Sequence, residues 1–226
     1  MQISVIMSVY NHENYLNYSI NSILNQSYEN FEFLIIDDDS TDNSYKILKH
    51  YALRDKRIKV FKNTKNIGLT KSLNKLILHS SSKFIARQDS DDFSLPNRFK
   101  KQHSFLTASH YQACTTRALT KQDMKTIPNF SYYLPKKIIL KYKNPFVHGS
   151  LMISRKLINE IGKYDERFYY SQDYKLFSDL YYSKCRIKIL KQPLYVLNMK
   201  DNISSNFTTE QKYYASCVKK RSVPKN

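Results

Sequence analysis

Three carboxylates fall within four residues in Asp89-Ser-Asp-Asp92, and three more stand side by side in Asp37-Asp-Asp39. Oxygen donors at this density serve two chemistries. Hard divalent cations such as Mg2+ and Mn2+ are held by one or two carboxylates while substrate phosphates complete the shell. A carboxylate in a polar loop also accepts hydrogen bonds from a ribose hydroxyl or a nucleobase imide. The same residue types shape turns and cap helices. Asp92 could cap a helix that begins near Pro96, and Ser40, Thr41 or Asp42 could cap one after the first run. Taken alone, neither run decides between ligand and cap.

The elements that must carry these groups give both runs the same place. Ile3 to Val9 is a continuous apolar strand, and Leu16, Ile20, Ile23 and Leu24 follow at helical spacing. Phe33 to Ile36 is a second buried strand, followed by a helix that turns Tyr45 and Leu48 inward. Ile58 to Phe61 is a third, with Leu69, Leu73, Leu76 and Ile77 on one helical face behind it. Phe84 to Ala86 is a fourth, and Pro96 suits the first turn of a helix bearing Phe99 and Leu106. Strand and helix alternating in this way predict an α/β fold with a doubly wound, mostly parallel, Rossmann-like sheet. Ligands of such sheets bind beyond the carboxyl ends of the strands. Ser8 to Asn11, Asp37 to Asp39 and Asp89 to Asp92 all lie at such ends.

Beyond residue 106 the pattern weakens. Residues 107–147 show little periodicity and are broken by Pro128, Pro135 and Pro145, with one helix expected near Lys136 to Tyr142. Ser150 to Ser154 and two late runs, Ile187 to Leu190 and Leu194 to Leu197, read as strands; Arg155 to Ile161 and Asp173 to Tyr182 read as helices. The expected organisation is a first half over 1–106 and a smaller second half over 107–198 of the same domain. A basic tail over 199–226 is expected to be helical from Thr208 to Arg221.

Composition bounds the class. A 226-residue chain with 41% hydrophobic residues can bury a full core. Three widely spaced cysteines, Cys114, Cys185 and Cys217, suit neither a disulfide framework nor a zinc site. With no signal-peptide pattern at MQISVIMSVYN and no apolar run of membrane-spanning length, a cytoplasmic location is expected. The net charge is +18, divided as +3 over residues 1–100 and +15 over 101–226. That asymmetry suits an anionic membrane surface or an acidic ligand as well as a merely solubilising surface. No recognition-helix, RNP-like or finger pattern supports nucleic acid.

Several segments in order resemble the family 2 glycosyltransferases, inverting GT-A enzymes that use nucleotide-diphospho-sugars. They are ISVIMSVYNHENYLNYSINSILNQSYENFEFLIIDDDSTDNS, NTKNIGLTKSLN, QDSDDFSLPNRF, HGSLMISRKLINEIGKYDE and YYSQDYKLFSDL, spanning about residues 1–185. The resemblance implies transfer of a hexosyl or N-acetylhexosaminyl group, with a UDP-sugar expected as donor; it makes 1–106 the nucleotide-sugar-binding half and 107–198 the acceptor-side and catalytic-base half of one GT-A domain. The implied acceptor is a glycan or lipid-linked molecule of surface polysaccharide synthesis, met at the cytoplasmic membrane face. It also implies that Ser8, Tyr10 and Asp38 hold the nucleoside, that Lys71 lies near the base or diphosphate, and that Asp89 lies near the ribose. Asp91 would be the principal ligand of Mn2+ or Mg2+, and Asp173 would be the catalytic base. His148 would face the diphosphate or acceptor, or stand as a satisfied structural histidine.

Two positions depart from the family pattern. Asp39 stands where Gly is usual and implies a left-handed backbone, which Asp tolerates better than most residues. Gln172 stands where Glu is usual, beside Asp173, and bears on acceptor recognition or on the base's pKa. The chain has only three glycines, Gly68, Gly149 and Gly162, and all fall inside the matching segments. Gln172 leaves a second reading open, a non-catalytic nucleotide-sugar or glycan-binding protein of the same fold.

Overall fold

The computed structural model describes residues 1–199 and 208–225. Four parallel strands form the first part of a single sheet: β1 (Ile3–Val9), β2 (Phe31–Asp37), β3 (Ile58–Lys62) and β4 (Phe84–Arg87), in the order β3-β2-β1-β4. Each is followed by a helix packed on the sheet: α1 (Glu13–Leu24), α2 (Ser44–Arg54), α3 (Leu69–His79) and α4 (Arg98–Ala108). β1 and β2 are buried along their whole length, which is why they read as unbroken apolar runs rather than as alternation. Ile3, Val5, Met7 and Val9 enter a core under α1, α2 and α4, whereas Ile6 enters the core on the α3 side. Each fully buried side chain of this kind contributes about 1.5–3 kcal/mol.

The sheet then changes character. β8 (Met152–Ser154) pairs antiparallel to β4, and β6 (Ala113–Thr120) pairs antiparallel to β8. β9 (Ile187–Leu197) lies parallel to β6, and β5 (Phe93–Ser94) and β7 (Thr126–Ile127) close its edges. Three further helical turns cover this half: α5 (Lys136–Ile139), α6 (Arg155–Glu160) and α7 (Gln172–Tyr182). A final helix, α8 (Thr208–Lys220), packs on the α3 face through Cys217 and Val218. Residues 200–207 and Asn226 of the expected basic tail lie outside the described residues. No helix among the described residues is long and apolar enough to cross a membrane.

Several expectations change in this half. β6 has no counterpart in the sequence reading, because Thr115, Thr116 and Arg117 interrupt its apolar character although both threonines are fully buried. The two late strands are one, bent by a register irregularity against Thr116 and Arg117 near Pro193. The Ser150 strand begins only at Met152, since His148–Ser150 forms a 3-10 turn. Asp92 does not cap α4, whose N-cap is Asn97 without a side-chain bond. Nor does Ser40 or Thr41 cap α2, which begins behind Asn43. All three cysteines are free; Cys114 and Cys217 are buried and Cys185 is partly exposed.

Candidate active site

The carboxyl ends of β1 and β2 lie level, with Val9 opposite Asp37, whereas β4 ends at Arg87 opposite Ile6, short of them. The loop after β2 is fixed from several directions. Asp37 Oδ2 accepts the Ser40 amide at 3.2 Å, Ser40 Oγ accepts the Asn11 amide at 3.0 Å, and Asn11 Oδ1 accepts the Thr41 amide at 2.8 Å. Asp39 and Asn11 both take left-handed backbones, φ +63° and +52°. The Asp39 side chain therefore occupies a backbone position that glycine fills without steric cost.

Asp38 is buried and fully engaged within the chain. Its Oδ1 accepts from Asn63 Nδ2 at 2.7 Å and the Ile67 amide at 3.0 Å, and its Oδ2 accepts the Gly68 amide at 2.8 Å. Asp38 thus ties the Asn63–Gly68 loop to β2. The neighbouring Asp37, which sequence reasoning passed over, is also buried, and its Oδ1 has no hydrogen-bond partner. A buried carboxylate oxygen without a donor is costly. Asp37 therefore keeps one acceptor oxygen to spare. Ser8 is buried at the end of β1, Tyr10 is 45% exposed just beyond it, and Lys71 is exposed in the first turn of α3.

The acids after β4 divide sharply. Asp89 pairs with the buried Arg87, Oδ1 to Nη2 at 2.5 Å, and its amide donates to Tyr195 Oη at 3.0 Å. Asp92 is buried, accepts the Asn198 amide at 2.7 Å, and so pins the end of β9. Burial, followed by the charges of Asp89 and Asp91, pushes its carboxyl well above the usual range. Asp91 lies between them, partly exposed, and takes no hydrogen bond from another described side chain. Burial and then the Asp89 charge raise its pKa, partly offset by His12 and Arg87.

Asp173 comes from the other half. It sits in the first turn of α7, behind Ser171 in a left-handed conformation, and its Oδ2 accepts from Asn144 Nδ2 at 2.7 Å. Gln172 precedes it at the helix start, partly buried. His148 Nε2 lies 2.7 Å from the Tyr164 hydroxyl. Burial and the Arg87 charge push the imidazole down to about 4, against the pull of Asp89 and Asp173. His148 is thus neutral near pH 7 and offers a diphosphate no positive charge. The segment that carries His148 holds Asp173 through Asn144 and packs on Asp89 at Gly149, which brings the loop after β4 and the start of α7 to one place.

Close packing supports this convergence. A Cβ at Gly149 would collide with the Tyr195 hydroxyl and lie 2.5 Å from Asp89 Oδ2. At Gly68, φ +86°, a Cβ would lie 2.7 Å from the Tyr169 ring. Arg87, Asn144 and Tyr195 were not singled out in sequence; the only local signal was a basic residue closing the apolar run FIAR.

The family model described as glycosyl transferase family 2 matches residues 4–162. The chain belongs to that family. It is 40% identical over 159 residues to the putative glycosyltransferase EpsE of Bacillus subtilis, covering 67% of this chain and 56% of EpsE. It is 37% identical over 179 residues to the O-antigen biosynthesis glycosyltransferase WbnJ of Escherichia coli, covering 77% and 69%. Among solved structures, S. aureus TarS 1-349 in complex with UDP-GlcNAc superposes with a TM-score of 0.78 at 22% identity, covering 92% of this chain and 61% of that one. The expected α/β architecture of this family is therefore the observed one. The chain spans little more than half the length of EpsE.

Proposed function

We propose that this family 2 chain is an inverting glycosyltransferase that moves a sugar from a nucleotide-diphospho-sugar, most simply a UDP-sugar, to a hydroxyl of a glycan or lipid-linked acceptor in surface polysaccharide synthesis. The observation that carries this is the Asn144–Gly149 segment, which holds Asp173 at one end and packs on Asp89 at the other. WbnJ is named for O-antigen biosynthesis, and TarS has been seen with UDP-GlcNAc; both support the donor and acceptor classes.

The donor set fits a divalent cation of the Mn2+ or Mg2+ type. Asp91 is a partly buried carboxylate beside Asp89, and a cation relieves that like-charge contact. No group of three or more His, Cys, Asp or Glu among the described residues could enclose an ion, so phosphate oxygens of the donor would complete the shell. The ion would supply Lewis-acid stabilisation of the departing diphosphate. Arg87 holds Asp89 in place for a ribose or secondary metal contact. Ser8, Tyr10, Asp38 and Lys71 frame the nucleoside subsite, Asp38 through the loop that it anchors. Asp173, with one oxygen held by Asn144, takes the proton of the acceptor hydroxyl as its oxygen attacks the anomeric carbon. The glycosidic bond forms as the bond to the nucleoside diphosphate breaks, and the anomeric centre inverts in one displacement. Gln172 beside this base leaves the acceptor pocket one charge poorer.

Turnover of UDP-, GDP- and dTDP-sugars with and without Mn2+ tests the reading. Asp91→Ala is expected to weaken Mn2+-dependent donor binding by about tenfold or more, measured by calorimetry. Equal affinity in the variant removes Asp91 from the metal role. Donor binding without hydrolysis or transfer across the panel would favour the non-catalytic alternative.

A further inference from the structure

Residues 130–143 place apolar and cationic side chains together on the outside of the acceptor-side half. Phe130, Tyr133, Ile138 and Tyr142 are 73%, 68%, 52% and 69% exposed. Lys137, Lys141 and Lys143 stand exposed among them. The local backbone explains this arrangement. Helical bonds continue from α5 through Leu140, which donates to Lys136 O at 2.9 Å, to Tyr142 and Lys143, which both donate to Ile139 O. The inner side of this turn is fixed, because Ile139 and Leu140 are buried and the Tyr174 hydroxyl donates to Leu140 O at 2.5 Å. Ile138 and Tyr142, one turn apart, are left on the outside, and Lys137 and Lys141 form the adjacent row.

The charge of the chain around this segment has one sign. From Met124 to Asn159 the chain contains seven Lys or Arg and no Asp or Glu. Such a surface differs from a protein-binding patch, whose core is depleted in Lys. Tyrosine interleaved with lysine and aliphatic side chains is instead the composition that settles at the headgroup level of a bilayer, stems and rings inward and ammonium groups toward phosphate.

We propose that residues 130–143 form the surface by which the protein seats on an anionic lipid bilayer. The exposed lysines face the lipid phosphates, and Phe130, Ile138 and Tyr142 enter the headgroup region. The segment ends at Asn144, which holds Asp173, so the seated surface adjoins the acceptor side of the site. Its use in presenting a lipid-linked acceptor rests on the transfer reaction proposed above; bilayer binding itself does not.

The test is vesicle co-sedimentation without donor or metal. Vesicles of phosphatidylcholine are compared with vesicles in which about a third of the lipid is phosphatidylglycerol. The wild-type chain is expected to bind the anionic vesicles at least about tenfold more strongly, with the difference shrinking at high salt. Lys137→Glu with Lys141→Glu should remove most of that difference, and Phe130→Ser with Ile138→Ser and Tyr142→Ser should lower binding severalfold. Lys46→Glu with Lys49→Glu, the same charge change on α2, should leave most of it. Circular dichroism melts and sedimentation velocity accompany each variant. Equal binding to both vesicle types, or equal losses in the α5 and α2 charge variants, overturns the proposal. A wild-type dimer that becomes monomeric in the Phe130, Ile138 and Tyr142 variant also overturns it, by making the patch a protein interface. Loss of transfer to a water-soluble acceptor with intact vesicle binding would instead count against the proposed reaction.

Discussion

The halves of the sheet reach the same burial by different chemistry. β1 and β2, ISVIMSV and FEFLIID, are mainly aliphatic and aromatic on both faces, and their buried Ser4 and Glu32 bond to each other at 2.7 Å. β6, ACTTRALT, lies nearly as deep but carries hydroxyls. Thr116 Oγ1 donates to the Arg117 carbonyl at 2.8 Å and the Thr116 amide donates to Ser150 Oγ at 3.0 Å, while Thr115 Oγ1 has no partner. A parallel strand covered on both sides is predominantly apolar, whereas β6 carries its hydroxyls in mid-strand and satisfies those of Thr116 locally. The first half is therefore a mainly apolar platform, and the second half carries more of its polar groups into the interior.

If the division is functional, the largest separation should appear with Asp173→Asn. Turnover is expected to fall by about 10²–10⁴ with donor affinity unchanged, a kcat effect read beside calorimetry. A parallel loss of donor affinity would break the distinction between platform and supplied base. Arg98 tests the seam, since it is fully buried and bonds Gln88 Oε1 and the Arg87 carbonyl while stacking on Tyr195 at 5.0 Å. Burial pushes its guanidinium down to about 10, which leaves it charged near neutrality. Arg98→Met should cost about 3 kcal/mol in urea unfolding, because several buried acceptors lose their donor. Stability equal to wild type would show that the halves do not depend on this contact.

A smaller effect probes the platform alone. Burial raises the Glu32 pKa, but hydrogen bonds from Ser4, Lys59 and Ser81 outweigh it and bring the carboxyl down to about 2 from an ordinary 4.5. A lowered carboxyl pKa stabilises the fold above the ordinary value, and that contribution is lost as pH falls from 4.5 toward about 2. Lys59 is 57% exposed, so solvent screens part of it. Glu32→Gln should cost about 1–2 kcal/mol at neutral pH and progressively less on acidification, measured by thermal melts. A pH-independent cost would assign the loss to packing.

Legibility in the sequence follows the same division. The four parallel strands were placed within two residues because an apolar run bounded by polar loops has few other readings. The left-handed Asp39 was also legible, as an acid where the family has glycine, and its φ is +63°. Asp92 was not, because its partner Asn198 lies 106 positions away and nothing local marks the bond. Asp38 likewise finds Asn63, Ile67 and Gly68 only after β3 has paired with β2. β6 stayed hidden because hydroxyl-bearing strands imitate loops in a hydrophobicity pattern.

The three thiols give this chain a built-in clock. Cys114 is fully buried in β6, and burial pushes its thiol up to about 12, so it is both shielded and un-ionised in the folded chain. Cys217 lies on the buried face of α8, and Cys185 is the one with solvent access. An alkylating reagent should therefore count one fast site, with the second reporting release of α8 and the third marking the moment at which β6 parts from β8 and β9.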